Sequence, residues 1–469
     1  MKFLGVEHFG EWLATQKVSL ALTTYQTNRL FFFGYQDGKL AINERLFDKP
    51  MGLFAKDDNL FMSTRYQIWK FENHLTSGEQ YKKADKLFVP SQSFITGDIN
   101  VHDLVVDSND QLIFVNTDFS CIAKLEPGFS FSPIWKPSYI SNFAAQDRCH
   151  LNGLALKEGR ATYVTACSLS DEAAGWRKTR KDGGVVIHIP DNEIITRGLS
   201  MPHSPRWYRD KLWVLNSGAG EFGYIDAGQF VAVTFLPAFL RGLTFWKHYA
   251  IVGLSKPRSK PFTELALEHR LANENLQAQC GVAVIDLNTG QLVSHLYFNE
   301  IVEELFDVVV LPNAINPSAL GFQNDEIQRC INFPQSNGLI MTRPTVVSSP
   351  NLHTLPTPEH PLNINYQLIR QLTPQNLLPY ESMTSPSLQK RWQNAAPIGE
   401  LLGVSASLDG QMIGLMVVEY TFDKKVLNSS VLSLHVLPSL AQSKEIEQQL
   451  MALMQKSLNT IRLDATEHE

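Results

Sequence analysis

The chain of 469 residues is 44% hydrophobic and 19% charged, with a formal net charge of -6, the profile of a folded protein with a sizeable core and an expected two domains. No long basic run interleaved with aromatics occurs, which excludes nucleic acid as an expected partner. Glu7 and His8 interrupt the N-terminal apolar run too early for a signal peptide, and no run reaches roughly 18 apolar residues, so a cytoplasmic protein without a membrane span is expected.

A short helical lead carrying Trp12 comes first. The segments Val18 to Tyr25, Leu30 to Tyr35 and Lys39 to Ile42 then read as three strands separated by turn residues. They lack an inner strand of their own. Phe306 to Leu311, far down the chain, is expected to supply it and to close a ring, removing the open sheet edges. Between them lie five further units. Gly52 to Ala55, Asn59 to Ser63 and Gln67 to Phe71 make the first. Asp103 to Val106, Leu112 to Asn116 and Cys121 to Leu125 make the second, with Asn109 and Asp110 as a hairpin turn. The third has Cys149 to Leu156, Ala161 to Ala166 and Gly184 to Ile189. The fourth has Pro205 to Tyr208, Lys211 to Asn216 and Gly223 to Asp226. The fifth has Gly242 to Phe245, Ala250 to Leu254 and Gly281 to Asp286.

Related stretches open these units: Lys49 to Leu53, Val101 to Val105, Cys149 to Leu156, Pro202 to Trp207, Leu240 to Leu243 and Glu304 to Val308. A period of about 40 to 50 residues holding several short apolar runs predicts a mainly β fold, a six-bladed β-propeller around a central channel, within residues 1–320. The opening residues of each unit should converge at one mouth of that channel.

Three connections, 126–149, 167–183 and 255–279, are long for hairpins and are where binding residues are expected. They carry Arg148 beside Asp147, and Trp176 with Arg177. The plainer expectation is that Trp176 covers a blade and the arginines are solvated. Residues 321–362 hold Pro334, Pro344, Pro350, Pro356, Pro358 and Pro361 and read as a linker. From 363 to 469, strands near Tyr366 to Arg370, Leu402 to Ala406, Met412 to Val418 and Val431 to Val436 precede an amphipathic helix from about Ser443 to Ile461. That order predicts a small α+β domain. The five cysteines, Cys121, Cys149, Cys167, Cys280 and Cys330, are odd in number and form no C-x-x-C pair, so neither a disulfide framework nor a zinc knuckle is expected. Cys149, next to His150, is the one thiol placed near the channel mouth.

Through Val101 to Leu104, Asp147 to Leu154, Asp182 to Val185, Met201 to Trp207 and Glu303 to Val308, the propeller resembles a conserved hypothetical six-bladed family of the DUF4915 type; that resemblance supplies a fold and no activity. Leu151 to Ala155 followed by Tyr163 to Thr165 is more remotely similar to gluconolactonase-like (SMP-30-like) propellers. In those, the Asn helps to bind a divalent cation and lactones or esters are hydrolysed. His203 and Ser204 depart from that pattern where a carboxylate is expected, and His102 is foreign to its oxygen-rich shell. The C-terminal domain resembles an N-acetyltransferase (GNAT) fold through Gly414 to Tyr420 and Val431 to Pro438. The segment Ala441 to Gln448 replaces the glycine-rich loop of such enzymes with one that has no glycine and carries Glu445 and Glu447, which implies a degenerate domain without acetyl-CoA.

His102, His150 and His203 read as equivalent starts of three consecutive inner strands, so their imidazoles are expected to share one divalent transition metal such as Zn, Fe or Cu. Glu304 or Asp307 would add a carboxylate ligand or a general base, and Arg206 would act with them. Asn152, Arg148, Arg241, Asp103, Trp176 and Arg177 are the expected substrate contacts, arginine by bidentate hydrogen bonding. The reading is a metal-dependent enzyme acting on a small molecule or peptide by hydrolysis or oxygen chemistry. The alternative is a non-catalytic propeller that binds a ligand or peptide, joined to an inactive transferase-like domain that offers a protein docking surface.

Overall fold

The structure, a computed structural model, describes residues 3–257, 265–299, 301–322, 325–333, 338–342, 364–369, 400–408, 411–423, 426–437 and 443–467. The chain divides into two compact units, Met1–Thr345 and Val346–Glu469, and the division falls inside the proline-rich stretch. Most of that stretch lies outside the described residues.

In the first unit, helix α1 (Val6–Gln16) buries Phe9, Trp12 and Leu13, one face at helical spacing. It stops at Lys17, whose left-handed backbone (φ 57) returns its N–H to the carbonyls of Leu13 and Ala14. Among the described residues six sheets of four or five strands follow, antiparallel throughout except that Pro317–Ala319 joins Lys86–Ile95 in parallel. Their first strands are Leu53–Lys56, Val101–Val106, Leu151–Lys157, Pro202–Tyr208, Phe239–Trp246 and Asp307–Pro312, and each adjoins the next in a closed cycle. Closure comes from far down the chain: Asp307–Pro312 pairs antiparallel with Val18–Thr24, Asp307 opposite Thr23 and Pro312 opposite Val18. This is a propeller-like, mainly β architecture.

Innermost strands begin buried on both faces, and some emerge toward their ends. Val101–Val106 is buried throughout, which is why such strands read as short apolar runs. Outer strands are different. Lys86–Ile95, Ser132–Trp135, Glu193–Leu199, Gln229–Phe235 and Leu292–Phe298 complete five sheets, and none of them stands out in the sequence reading. Ser132–Trp135 occupies part of the stretch 126–149 that reads as a long loop.

Two rows of contacts tie neighbouring sheets. Ser63, Thr117, Ser217 and Ser255, at the ends of second strands, donate their hydroxyls to Val101, Leu151, Leu240 and Leu305 of the following sheet at 2.6 to 3.0 Å. The second row alternates small and polar: Gly52, Asp103, Gly153, Ser204, Gly242, Asp307. Asp103 accepts the N–H of Leu154 (2.9 Å), Ser204 that of Gly242 (3.1 Å) and Asp307 that of Leu53 (2.8 Å), each from the next sheet. The glycines are required by close approach. A Cβ on Gly153 would lie 2.3 Å from Cδ of Pro205, and one on Gly242 (φ +79) 2.8 Å from Cα of Asp307.

The second unit has one antiparallel sheet with its strands in chain order, Asn365–Ile369, Glu400–Leu408, Gln411–Asp423 and Val426–Val436. The helix of this unit, Ser443–Glu467, lays Ile446, Leu450, Met454 and Leu458 on Leu402, Val404, Met416 and Val418.

Candidate functional site

One residue before the alternating row lies a second ring: Met51, His102, Asn152, His203, Arg241 and Phe306. Five of these six, all but Met51, line an enclosed gap of about 10 Å³ at the channel mouth with Asp103, Ser204 and Asp307. Register corrects the expected histidine triad. His150 precedes the strand Leu151–Lys157 and matches Asn100 and Met201, all three with left-handed backbones (φ 50, 56 and 47). The residue equivalent to His102 and His203 in that sheet is Asn152.

His102 and His203 are wired alike. His102 Nδ1 lies 3.0 Å from the Asn100 carbonyl and 2.8 Å from the Thr117 hydroxyl, which itself donates to Leu151. His203 Nδ1 lies 2.8 Å from the Met201 carbonyl and 3.1 Å from the Ser217 hydroxyl, which donates to Leu240. With the hydroxyl protons committed elsewhere and carbonyls as partners, each Nδ1 carries the hydrogen and each Nε2 keeps a bare lone pair. Burial first, then the neighbouring positive charge, holds both imidazoles well below their ordinary pKa, so both are neutral. His203 Nε2 is buried without a hydrogen-bond partner among the described residues. The offset of 14 to 15 residues from histidine to hydroxyl was the signal in the sequence that marks this pair.

Arg241 is 7% exposed. Its Nε–H has no acceptor and no carboxylate stands within ion-pair distance among the described residues, and burial lowers its pKa to about 10 against the opposing effect of the Cys167 sulfur. Aromatic rings surround it, with Phe306, Phe239 and Tyr25 centroids 5.0, 5.5 and 5.9 Å from its guanidinium carbon.

The other expected residues have structural partners. Arg206 reaches across the channel to Asp103 (2.8 Å), approaches Asp307 (3.9 Å) and donates to the carbonyls of Leu154 and Leu243. Asp103 and Asp307 also accept their own following N–H groups, from Leu104 and Val308. These three, expected in catalysis or substrate contact, bond one another and the backbones of neighbouring sheets, and Asp103 and Asp307 also line the gap. Asp307 is nevertheless pushed up, to about 7, by burial and by Asp103 against the opposing pull of Arg206. Arg148, expected as a substrate contact, is held by Gln146, Ser141 and Asp171 in a loop clasp. Arg177 is exposed and lies over the outer face of Trp176 at 4.7 Å. Trp176 is buried, stacks on His150 at 4.3 Å and donates its indole N–H to Asp147, which also accepts from His150 Nδ1. Asn152 lines the gap but spends its amide on Thr165 and Cys167. Glu304 accepts from the Tyr25 phenol, and burial pushes its carboxyl up to about 7. The Cys149 thiol is buried and pushed up to about 11, which makes it an inert core group.

A shared metal does not fit this geometry. His102 and His150 are neighbours with ring centroids 4.8 Å apart, but among the described residues no group of three His, Cys, Asp or Glu side chains is placed to hold a metal ion. The guanidinium facing the same gap repels a cation as well. What the mouth offers is one uncompensated positive charge beside two proton-accepting imidazoles.

Among solved structures, the chain is similar to the virginiamycin B lyase of Staphylococcus aureus (12% identity over 50% of this chain and 73% of that one, TM-score 0.33). It is also similar to a gluconolactonase of Xanthomonas campestris (15% identity, 52% and 81% covered, TM-score 0.33) and to a functionally unknown protein of Desulfotomaculum acetoxidans (10% identity, 64% and 99% covered, TM-score 0.35). No curated protein sequence matches significantly. No helix among the described residues is long and apolar enough to cross a membrane. Residues 7–320 match the family described as a domain of unknown function, DUF4915, and the chain belongs to that family.

Proposed function

We propose that residues 1–320 form a six-bladed β-propeller whose channel mouth binds a small organic anion and takes a proton from it with a neutral imidazole. The observation that carries this reading is Arg241, buried, charged and without an acceptor among the described residues. A guanidinium taken out of water without a carboxylate is costly, and an entering anion removes that cost. His102 and His203, neutral with Nε2 bare, have the protonation state of a general base. The metal-dependent hydrolysis or oxygen chemistry expected from the histidines gains no support from this geometry. A propeller that binds without turnover would share the Arg241 anchor.

The test is thermal unfolding and calorimetry with acetate against acetamide, which share shape and differ in charge. Acetate is expected to raise the melting temperature and acetamide is not, with the acetate effect lost in Arg241→Gln. Equal effects of the two compounds would overturn the anion reading. For the second unit we propose a GNAT-like fold that does not hold acetyl-CoA. Glu445 in the first turn of the helix Ser443–Glu467 opposes a pyrophosphate there, while part of the loop before it lies outside the described residues.

A further inference from the structure

Among the described residues, Arg241 Nε–H is a donor with no acceptor and His203 Nε2 is an acceptor with no donor; both are buried and both residues line the same gap of about 10 Å³. Their side chains flank one ring, Phe239, at 5.5 and 5.6 Å. A gap of that size has room for about one water-sized group. Such a group must accept from Arg241 and donate to His203. A water molecule or an alcohol oxygen does both. A carboxylate oxygen alone does not, because it brings a second acceptor against the His203 lone pair, and an amide N–H alone leaves the guanidinium without an acceptor.

Water satisfies the hydrogen bonds but leaves the charge of Arg241 uncompensated. An alcohol on the carbon next to a carboxylate satisfies both. Its hydroxyl replaces the water between Arg241 and His203, and its carboxylate, one carbon away, neutralises the guanidinium. Resting on the anion-binding reading above, we infer that the ligand of this mouth is a small 2-hydroxycarboxylate. The narrow gap, roofed by the Phe306 ring 5.4 Å from His102 and 5.0 Å from the guanidinium carbon of Arg241, restricts the class to short-chain members and requires that ring to yield as the carboxylate enters. A site built around a buried acceptor discriminates strongly against analogues that lack the matching donor, because the acceptor is then left unpaired in the complex.

Calorimetry of the full chain at pH 7.5 with glycolate, acetate and methoxyacetate tests this. Methoxyacetate keeps the charge and the oxygen and lacks only the O–H. Glycolate is expected to bind at least tenfold more tightly than either. His203→Phe should bring glycolate to the level of acetate, and Arg241→Gln should abolish binding of all three. Acetate binding as tightly as glycolate would overturn the 2-hydroxycarboxylate inference and leave the anion site standing. Methoxyacetate binding as tightly as glycolate would overturn the role given to His203 and with it the inference. If none of the three acids binds the unaltered chain, the gap holds water only, and the inference and the anion site fall together.

Discussion

Arg206 and Arg241 project into the same channel from consecutive sheets and have opposite surroundings. Arg206 bonds Asp103, approaches Asp307 and donates to two carbonyls, so its charge is compensated on several sides. Arg241 meets aromatic rings, and its Nε–H has no acceptor among the described residues. One residue type therefore serves two ends: the arginine with satisfied partners holds the sheets together, and the arginine without them is available to a ligand. The difference teaches that a buried charge is read from its partners and not from its depth.

The comparison breaks most visibly at Arg206. Arg206→Ala leaves Asp103 and Asp307 buried without a counter-charge and should cost about 3 to 5 kcal/mol, read by denaturant unfolding. Gly242→Ala comes next. It forces a side chain into a left-handed backbone and against Asp307 of the closing sheet, and should cost about 1 to 3 kcal/mol. The imidazoles beside Arg241 give a pH-dependent effect. His203 has a depressed pKa in the folded state, so the unfolded chain binds the extra proton below its ordinary value near 6.5. The contribution is complete above pH 6.5 and declines as pH falls. Relative to the unaltered protein, His203→Gln should therefore gain about 1.4 kcal/mol for each pH unit below 6.5, down to the depressed pKa, in unfolding curves measured from pH 7.5 to 5. The smallest effect on stability is expected at Arg241. Arg241→Gln breaks no ion pair and should stay within about 1 kcal/mol of the unaltered protein while losing anion binding. A loss near that of Arg206→Ala would erase the distinction between the two residues.

The inner part of each sheet was legible and the outer part was not. Strands such as Val18–Thr24, Val101–Val106 and Gly281–Asp286 are buried on both faces and bounded by turn residues, so their short runs stand out. Strands such as Gln229–Phe235 and Lys86–Ile95 face solvent along much of their length, so composition does not separate them from loops. In the second unit the helix from Ser443 was legible through Ile446, Leu450, Met454 and Leu458, spaced by four on one face.

At the site, the sequence by itself determined that polar starts of successive strands meet at one mouth, and it placed His102, Asn152, His203 and Arg241 there. The closing partnership of Asp307–Pro312 with Val18–Thr24 was also written in it, as three strands lacking an inner neighbour. Only the tertiary structure decided that His150 is two positions out of register, that Arg206 is consumed by Asp103, and that Arg241 is not consumed by anything described. The physical reason is that repetition along a chain specifies which residues recur at one level of a ring. Whether a charge there is satisfied depends on groups that neighbouring sheets supply across the channel, such as Asp103, which lies 103 residues from Arg206. No local pattern encodes that distance.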